Sequence, residues 1–330
     1  MQQERMVDLI LANSSELISE PLPLVKPKRV SVFAKSLRKN WDLYLLISPV
    51  IVYFIVFEYI PMYGLQIAFK NFVAVKGIMG SPWVGFEHFD RFFRSYYFWR
   101  LIKNTLGISL YSLVVGFPAP LILALMINEV RSKRFQKFVQ TITYAPHFLS
   151  TVVMVGLILM FLSPNKGIIN HLIQIFGGQP IAFLTEPAWF KSVYVFTGVW
   201  QGMGWGSIIY LAALAGIDPQ MHEAAIMDGA SRIRRIWHIN LPSIMPTIMI
   251  LLILNMGHVM SVGFEKVFLM QNNLNVEASD VISTYVYRNG ILGAQYSFSA
   301  AVGLFNSVVN FLLLLIVNSI ARRVKQTALW

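Results

Sequence analysis

The 330-residue sequence contains no cysteine, which excludes a disulfide framework, thiolate metal sites and a cysteine nucleophile. Charge is also scarce. Asp, Glu, Lys and Arg make up 13% of the chain, against about a quarter in a soluble domain. Acidic residues are the rarer sign, 16 against 27 Lys and Arg, so the net charge is +11. No G-x-x-x-x-G-K-[ST] occurs, hence no phosphate-cradling ATPase loop, and no H-E-x-x-H. His88, His147, His171, His222, His238 and His258 are scattered, and no Ser, His and acidic set stands at helical spacing in an apolar run. A catalytic centre and a metal site are therefore not expected. What the chain has in abundance is apolar surface, 56% of residues, with a mean hydropathy of +0.58.

The missing charge is unevenly distributed. No charged residue occurs in runs 104–128, 138–165, 192–217, 236–264 and 289–321, of 25, 28, 26, 29 and 33 residues. Each exceeds the ~20 residues that span a bilayer, where a central charge costs about 2.5–3.5 kcal/mol. A sixth run, 43–63, is interrupted only by Glu58. These runs predict an all-α integral membrane protein with six transmembrane helices near 43–63, 104–127, 147–163, 189–216, 243–263 and 300–320.

Basic residues then give orientation. Residues 1–42 hold seven Lys and Arg, 128–146 four, 217–242 three and the segment after Ala321 three, so 17 of 27 fall on the side of the N-terminus. Basic residues beside helix ends mark the cytoplasm, which puts both termini inside. No apolar signal region is evident in residues 1–40, so the first run reads as a retained anchor. Nucleic-acid binding, which +11 first admits, needs a water-exposed basic domain, and no segment is long enough to form one.

The chain divides into a polar tail at 1–42, a six-helix region at 43–321 and a short tail at 322–330. Val32 to Trp41 is either an amphipathic helix at the lipid headgroups or part of a disordered tail. Residues 64–103 form a first outside loop rich in glycine turns and in Phe, Tyr and Trp, a small packed cap or interfacial helix. Outside loops at 164–188 and 264–299 follow.

The segment 217–242 is unlike a linker. Inserting it would bury Asp218, Glu223, Asp228, Arg232, Arg234 and Arg235, so it stays out of the bilayer. Asp218 suits an N-cap, Pro219 the first helical position and Glu223 the positive end of the helix dipole. Gly229 permits a sharp turn, and Leu241-Pro242 ends the segment and restarts a helix. From these signals alone the segment is either a docking helix or an amphipathic helix lying on the membrane.

Glu223-Ala224-Ala225, Asp228-Gly229-Ala230, then Ile239 and Leu241-Pro242 resemble the EAA motif of ABC importer permeases, at that family's spacing and between the same two spans. The resemblance implies a type I ABC importer permease fold in the bacterial cytoplasmic (inner) membrane. Glu223, Ala224, Ala225, Asp228, Gly229 and Ala230 would form a coupling helix and its turn, closed by Leu241 and Pro242, docked in a separate ATPase subunit. It further implies a second, homologous permease chain, two ABC ATPases that carry the ATP and Mg2+, and an extracytoplasmic sugar-binding protein. Membrane lipid surrounds the chain, and this chain binds no cofactor of its own.

Pro61-Met-Tyr-Gly64-Leu-Gln-Ile-Ala-Phe69-Lys-Asn-Phe72, Gly77-Ile78 and Ser81-Pro-Trp83-Val-Gly85-Phe86 look like the polysaccharide branch of class-1 carbohydrate uptake permeases. That branch implies oligosaccharide import, uronate-rich chains such as rhamnogalacturonan or alginate included. A sugar pathway needs aromatic faces and amide or carboxyl groups in an apolar setting. Trp200, Gln201 and Trp205 on the fourth span, Asn255 and His258 on one face of the fifth, and Glu58 on the first are the candidates. The alternatives are interfacial anchoring for the tryptophans, bonding to a neighbouring helix for Asn255 and His258, and snorkelling or ion pairing for Glu58. Gly202, Gly204 and Gly206 favour close helix packing. Lys70, Arg91, Arg94, Arg100 and Arg288 either attract an anionic sugar or are solvated loop charge.

Two rivals fit less well. A secondary transporter usually places several ionisable groups at mid-membrane, and five of the six runs have none. A membrane enzyme lacks its residues. An ABC permease for another small solute remains the nearest alternative.

Overall fold

The computed structural model describes residues 39–323. The described residues fall into two compact units that divide between Tyr63 and Gly64. No named strand occurs among the described residues; one isolated bridge joins Lys70 and Trp83.

In the first unit, α1 (Trp41–Phe54) runs on as a π-helical turn, Ile55–Tyr59, that carries Glu58. The Ile60 N–H bonds back to the Ile55 carbonyl, five residues earlier, and Pro61 follows. A proline ring collides with the carbonyl four residues before it, and the wider turn precedes it here. Of the expected tail helix 32–41, residues 32–38 lie outside the described residues.

In the second unit, α2 (Glu87–Phe93) belongs to the first loop, and α3 (Phe98–Gly116) continues through Phe117 into α4 (Pro118–Asn128). Then come α5 (Lys133–Tyr144), α6 (Thr151–Phe161), α7 (Ile168–Ile175) and the 29-residue α8 (Pro187–Ala215). The remaining helices are α9 (Pro219–Met227), α10 (Arg232–Arg235), α11 (Leu241–Met256), α12 (Phe264–Met270), α13 (Val276–Ser279), α14 (Ile282–Tyr287) and α15 (Tyr296–Arg323).

Four helical runs are long and apolar enough to cross a membrane: Trp41–Phe69, Phe98–Asn128, Arg232–Met256 and Tyr296–Arg323. A fifth arises if the pair Lys133–Phe148 and Thr151–Phe161, bent by 104°, is one broken span. This differs from six straight spans in three places. The expected span at 147–163 is the 11-residue α6, about 16 Å long against a hydrocarbon core of about 30 Å. Pro146 lies in a tight turn before it, and the Ser150 hydroxyl caps it by accepting from Val153 N–H at 3.3 Å, so the helix restarts in a new direction.

The second difference is α8, which occupies the expected 189–216 but is diluted by Lys191, Gln201 and four glycines and falls outside the apolar set. The third is α11, which ends at Met256 rather than 263. There Asn310 on α15 accepts from Met260 N–H at 2.8 Å and donates to the Ser261 hydroxyl at 2.9 Å. The unwound backbone thus has partners that a continuing helix would not need.

The centre of the unit is α8, which packs against α3, α4, α5, α11 and α13. Three apolar clusters result. One joins Ile108, Met154, Ile158, Phe190 and Val267, a second Phe92, Leu101, Ile282, Phe298 and Val302, and a third Ala124, Tyr210, Leu214 and Ile244. Gly204 on α8 makes one crossing possible. A Cβ there would stand 2.0 Å from the Thr143 carbonyl of α5, closer than any atom tolerates.

The first loop is a packed cap. Phe69 stacks on Trp83 at 5.8 Å, Lys70 Nζ donates to the Ile78 carbonyl at 2.8 Å, and Phe72 N–H donates to the Ser297 hydroxyl at 2.9 Å. Phe92 is wholly buried between Phe98, Phe298 and Phe305, whereas Trp83, Phe86, Phe93, Tyr96, Tyr97 and Trp99 expose much of their surface, so only part of the aromatic run forms the cap's core.

Candidate functional site

The segment between α8 and α11 folds as helix, turn, helix. The Asp218 side chain accepts from Gln220 N–H at 2.9 Å, with Pro219 at the first position of α9. Past Met227 the chain reverses at Gly229, whose φ is +75°. The Ala230 N–H closes the turn on the Ala225 carbonyl at 2.8 Å, the Schellman closure that favours glycine at this position. Ser231 then caps α10, accepting from Arg234 N–H at 3.3 Å.

No residue of α9 is buried. Glu223, Ala224, Asp228 and Gly229 are exposed, Ala225 and Ala230 half-buried, and Met221, Ile226 and Met227 expose apolar surface beside them. Leu241-Pro242 does not break the chain. A π-helical turn, Ile236–Asn240, carries α10 into α11, and Leu241 N–H bonds to the Ile236 carbonyl just ahead of Pro242. The helix therefore runs unbroken from Arg232 to Met256.

The second feature is a cavity of about 560 Å³ between α3, α4, α8, α11 and the start of α12. Gln201, Asn255 and His258 are among its walls. Two of their amides have partners within the chain: Gln201 Nε2 donates to the Leu149 carbonyl at 3.3 Å and Asn255 Nδ2 to the Leu251 carbonyl at 2.8 Å. Ser109, Ser112, Ser261 and Tyr194 add further polar atoms. Trp200 and Trp205 are not among the walls. Trp205 lies face to face with the His147 ring, centroids 4.5 Å apart and planes 3° apart, and so buttresses the α5–α6 turn. Of the three glycines beside it, Gly204 faces α5, Gly206 has the Pro120 ring 3.1 Å from its Cβ position, and Gly202 opens onto the cavity. Glu58 belongs to the first unit.

One wall residue carries a full charge and was missed in the sequence: Lys266 on α12. It is 9% exposed, its Nζ donates to the Tyr194 carbonyl at 3.0 Å, and the ammonium stands 4.7 Å from the Tyr194 ring centre. Burial pushes its pKa down from 10.5 to about 8. Lys266 lies just past an apolar run, where a lysine looks like an ordinary loop charge, and no local spacing singles it out.

The outer basic residues named from sequence are committed within the protein. Arg100 and Arg288 both bond the carboxylate of wholly buried Asp280, Arg94 pairs with Asp90 at 2.9 Å, and Arg91 donates to Gln295 at 2.9 Å. Arg100 and Arg288 are thus held by a buried carboxylate, while Arg91 and Arg94 remain exposed loop charge.

Residues 116–326 match the family described as binding-protein-dependent transport system inner membrane component. The chain belongs to that family. The matched range contains α9, its turn and most of the cavity wall, so both features are parts of an ABC importer permease. Over its length the permease is 46% identical to Protein LplB of Bacillus subtilis (strain 168), covering 93% of this chain and 96% of that one. It is 45% identical to the polygalacturonan/rhamnogalacturonan transport system permease protein YteP of the same organism, covering 90% and 92%. A crystal structure of a bacterial alginate ABC transporter, in complex with an alginate pentasaccharide-bound periplasmic protein, contains a chain 44% identical to this permease. The two superpose with a TM-score of 0.82 over 89% of this chain and 99% of that one.

Proposed function

We propose that this permease is one of two transmembrane subunits of an ATP-driven importer of acidic oligosaccharides, uronate-containing fragments of larger polysaccharides. The observation that carries the reading is near-full-length similarity, at 45% identity to a polygalacturonan/rhamnogalacturonan transport system permease and at 44% to a chain of an alginate ABC transporter. A mostly apolar cavity of about 560 Å³ with a few polar groups in its wall supports it. Six spans with both termini in the cytoplasm fit the charge-free runs and the 17 basic residues on one side. In that count the bent pair α5–α6 forms the third span and α8 the fourth.

The partners are a second permease chain, two ATPases and an extracytoplasmic binding protein that delivers the sugar. The exposed α9, with Glu223, Ala224, Ala225, Asp228, Gly229 and Ala230, is the coupling helix and its turn, seated in an ATPase. Closure of the ATPases around ATP pushes on α9, and the continuous helix from Arg232 to Met256 carries that displacement toward the cavity wall at Leu251 and Asn255. Access then alternates between the two faces, as in other rigid-body transport cycles.

The test is reconstitution of the whole transporter in proteoliposomes with its binding protein outside and ATP inside. ATP-dependent accumulation of uronate oligosaccharides is expected. Uptake of amino acids or metal ions with no oligosaccharide uptake overturns the substrate, and sugar uptake that ignores ATP overturns the class.

A further inference from the structure

Among the described residues, Lys266 is the cation in the wall of the cavity. A buried ammonium is costly unless it is paired, yet no Asp or Glu lies within 4.0 Å of it among the described residues. The cavity that it faces has no acidic residue in its wall. By contrast, Arg100 and Arg288 share Asp280 and Arg94 has Asp90. Lys70 is as deeply buried and likewise lacks a carboxylate, but it sits in the cap, tied to the Ile78 carbonyl, away from the cavity walls.

An ammonium has three donors, and the Tyr194 carbonyl takes one. The Tyr194 ring covers part of the charge with its electron-rich face. Gly198 lies beside it, and a Cβ there would stand 3.5 Å from Nζ. The result is a cation with spare donors beside an aromatic face, in a chamber whose other polar groups, Gln201, Asn255, His258 and Ser261 among them, suit hydroxyls.

We infer that Lys266 is the specificity residue of the pathway: its ammonium pairs with a sugar carboxylate in transit, and a neutral sugar leaves it without a counter-ion. The inference rests on the acidic-oligosaccharide reading above and adds the group that recognises the acid. With a pKa near 8, the ammonium is charged in about nine molecules of ten at pH 7 and becomes neutral across the next two pH units. A uronate carboxylate stays ionised throughout.

The experiment compares the reconstituted transporter with its Lys266→Met and Lys266→Arg variants, using free oligogalacturonides and their methyl esters, in which the carboxylates are masked. Uptake is normalised to occupancy of the binding protein, measured separately for each sugar and pH. The wild-type protein is expected to favour the free acid, and the acid-to-ester uptake ratio of K266M to fall at least tenfold. Wild-type uptake of the free acid should fall from pH 7 to 9 with a midpoint near 8, and K266R, whose guanidinium stays charged, should show no such fall. An unchanged acid-to-ester ratio in K266M overturns the inference and leaves the transport reading standing. Wild-type protein that carries neither sugar overturns both. If K266M does not assemble, the pH profiles decide: the same fall in wild type and K266R overturns the inference.

Discussion

Arg100 and Asp280, 180 residues apart in sequence, meet at 3.3 Å. Asp280 is fully buried, accepts from Arg288 on its other oxygen, and is steadied by Thr284 at 3.4 Å. Asn104, one turn after Arg100, donates to the Glu277 and Asp280 carbonyls at 2.7 and 3.2 Å. The start of α3 is thereby clamped to the loop that precedes α14.

Removing the carboxylate leaves two guanidinium groups facing a buried gap. Asp280→Ala is expected to destabilise the permease by about 3 kcal/mol, the scale for breaking a buried ion pair from one side. Asp280→Asn, which keeps an acceptor, should cost less. Thermal unfolding of the purified complex in detergent or nanodiscs measures both; an unshifted melting temperature in D280A would mean that the clamp carries no stability.

Gly204 and Gly202 form a matched pair. A methyl at Gly204 would enter the Thr143 carbonyl at 2.0 Å, whereas one at Gly202 meets nothing within 4 Å. Gly204→Ala should cost about 1–3 kcal/mol through overpacking and lower the yield of folded protein. Gly202→Ala should fold normally. Equal yields and melting temperatures for the two variants would show that the α5–α8 crossing yields without cost.

Trp205 stacks on His147, while Gln201 faces the cavity. Trp205→Ala is expected to lose about 1 kcal/mol of stacking with the sugar preference intact. Gln201→Leu should shift relative uptake among oligosaccharides with little change in stability. Uptake assays with a sugar panel beside melting curves separate these outcomes, and the reverse pattern would exchange the two roles.

At the turn after α9, Gly229 holds φ +75°, where a side chain costs about 1–2 kcal/mol and proline cannot follow. Gly229→Pro and Glu223→Lys should each impair capture of the ATPase subunit and ATP-dependent uptake. Neither should unfold the apolar core, because no residue of α9 is buried. Co-purification and uptake assays check this; full association and normal uptake in both variants would remove α9 as the coupling element.

Much of this was readable from the residues, because the signals are local. Asp218, Pro219 and Gly229 sit at the cap, first turn and left-handed position that their chemistry favours, and the exposed charges around them keep the segment out of the apolar core. Apolar length served less well. It joins 147–163 into one span, while Pro146 and the Ser150 cap bend the chain by 104°; it also runs the fifth span to 263, while Asn310, about fifty residues on, holds Met260 and Ser261 unwound. Lys266 and Asp280 depend on partners distant in sequence, so neither stood out before the helices were assembled.

Two of the π-helical turns stand directly ahead of an X-Pro step: Ile55–Tyr59 before Pro61 and Ile236–Asn240 before Pro242. Each adds one residue to the helical screw, worth about 100° of azimuth and 1.5 Å of advance. The second of them joins α10 to α11. It therefore fixes the compass bearing of the Glu223–Ala230 segment about the span that follows, and loss of a single residue between 236 and 240 would aim that segment a quarter-turn away while leaving every one of its own residues in place.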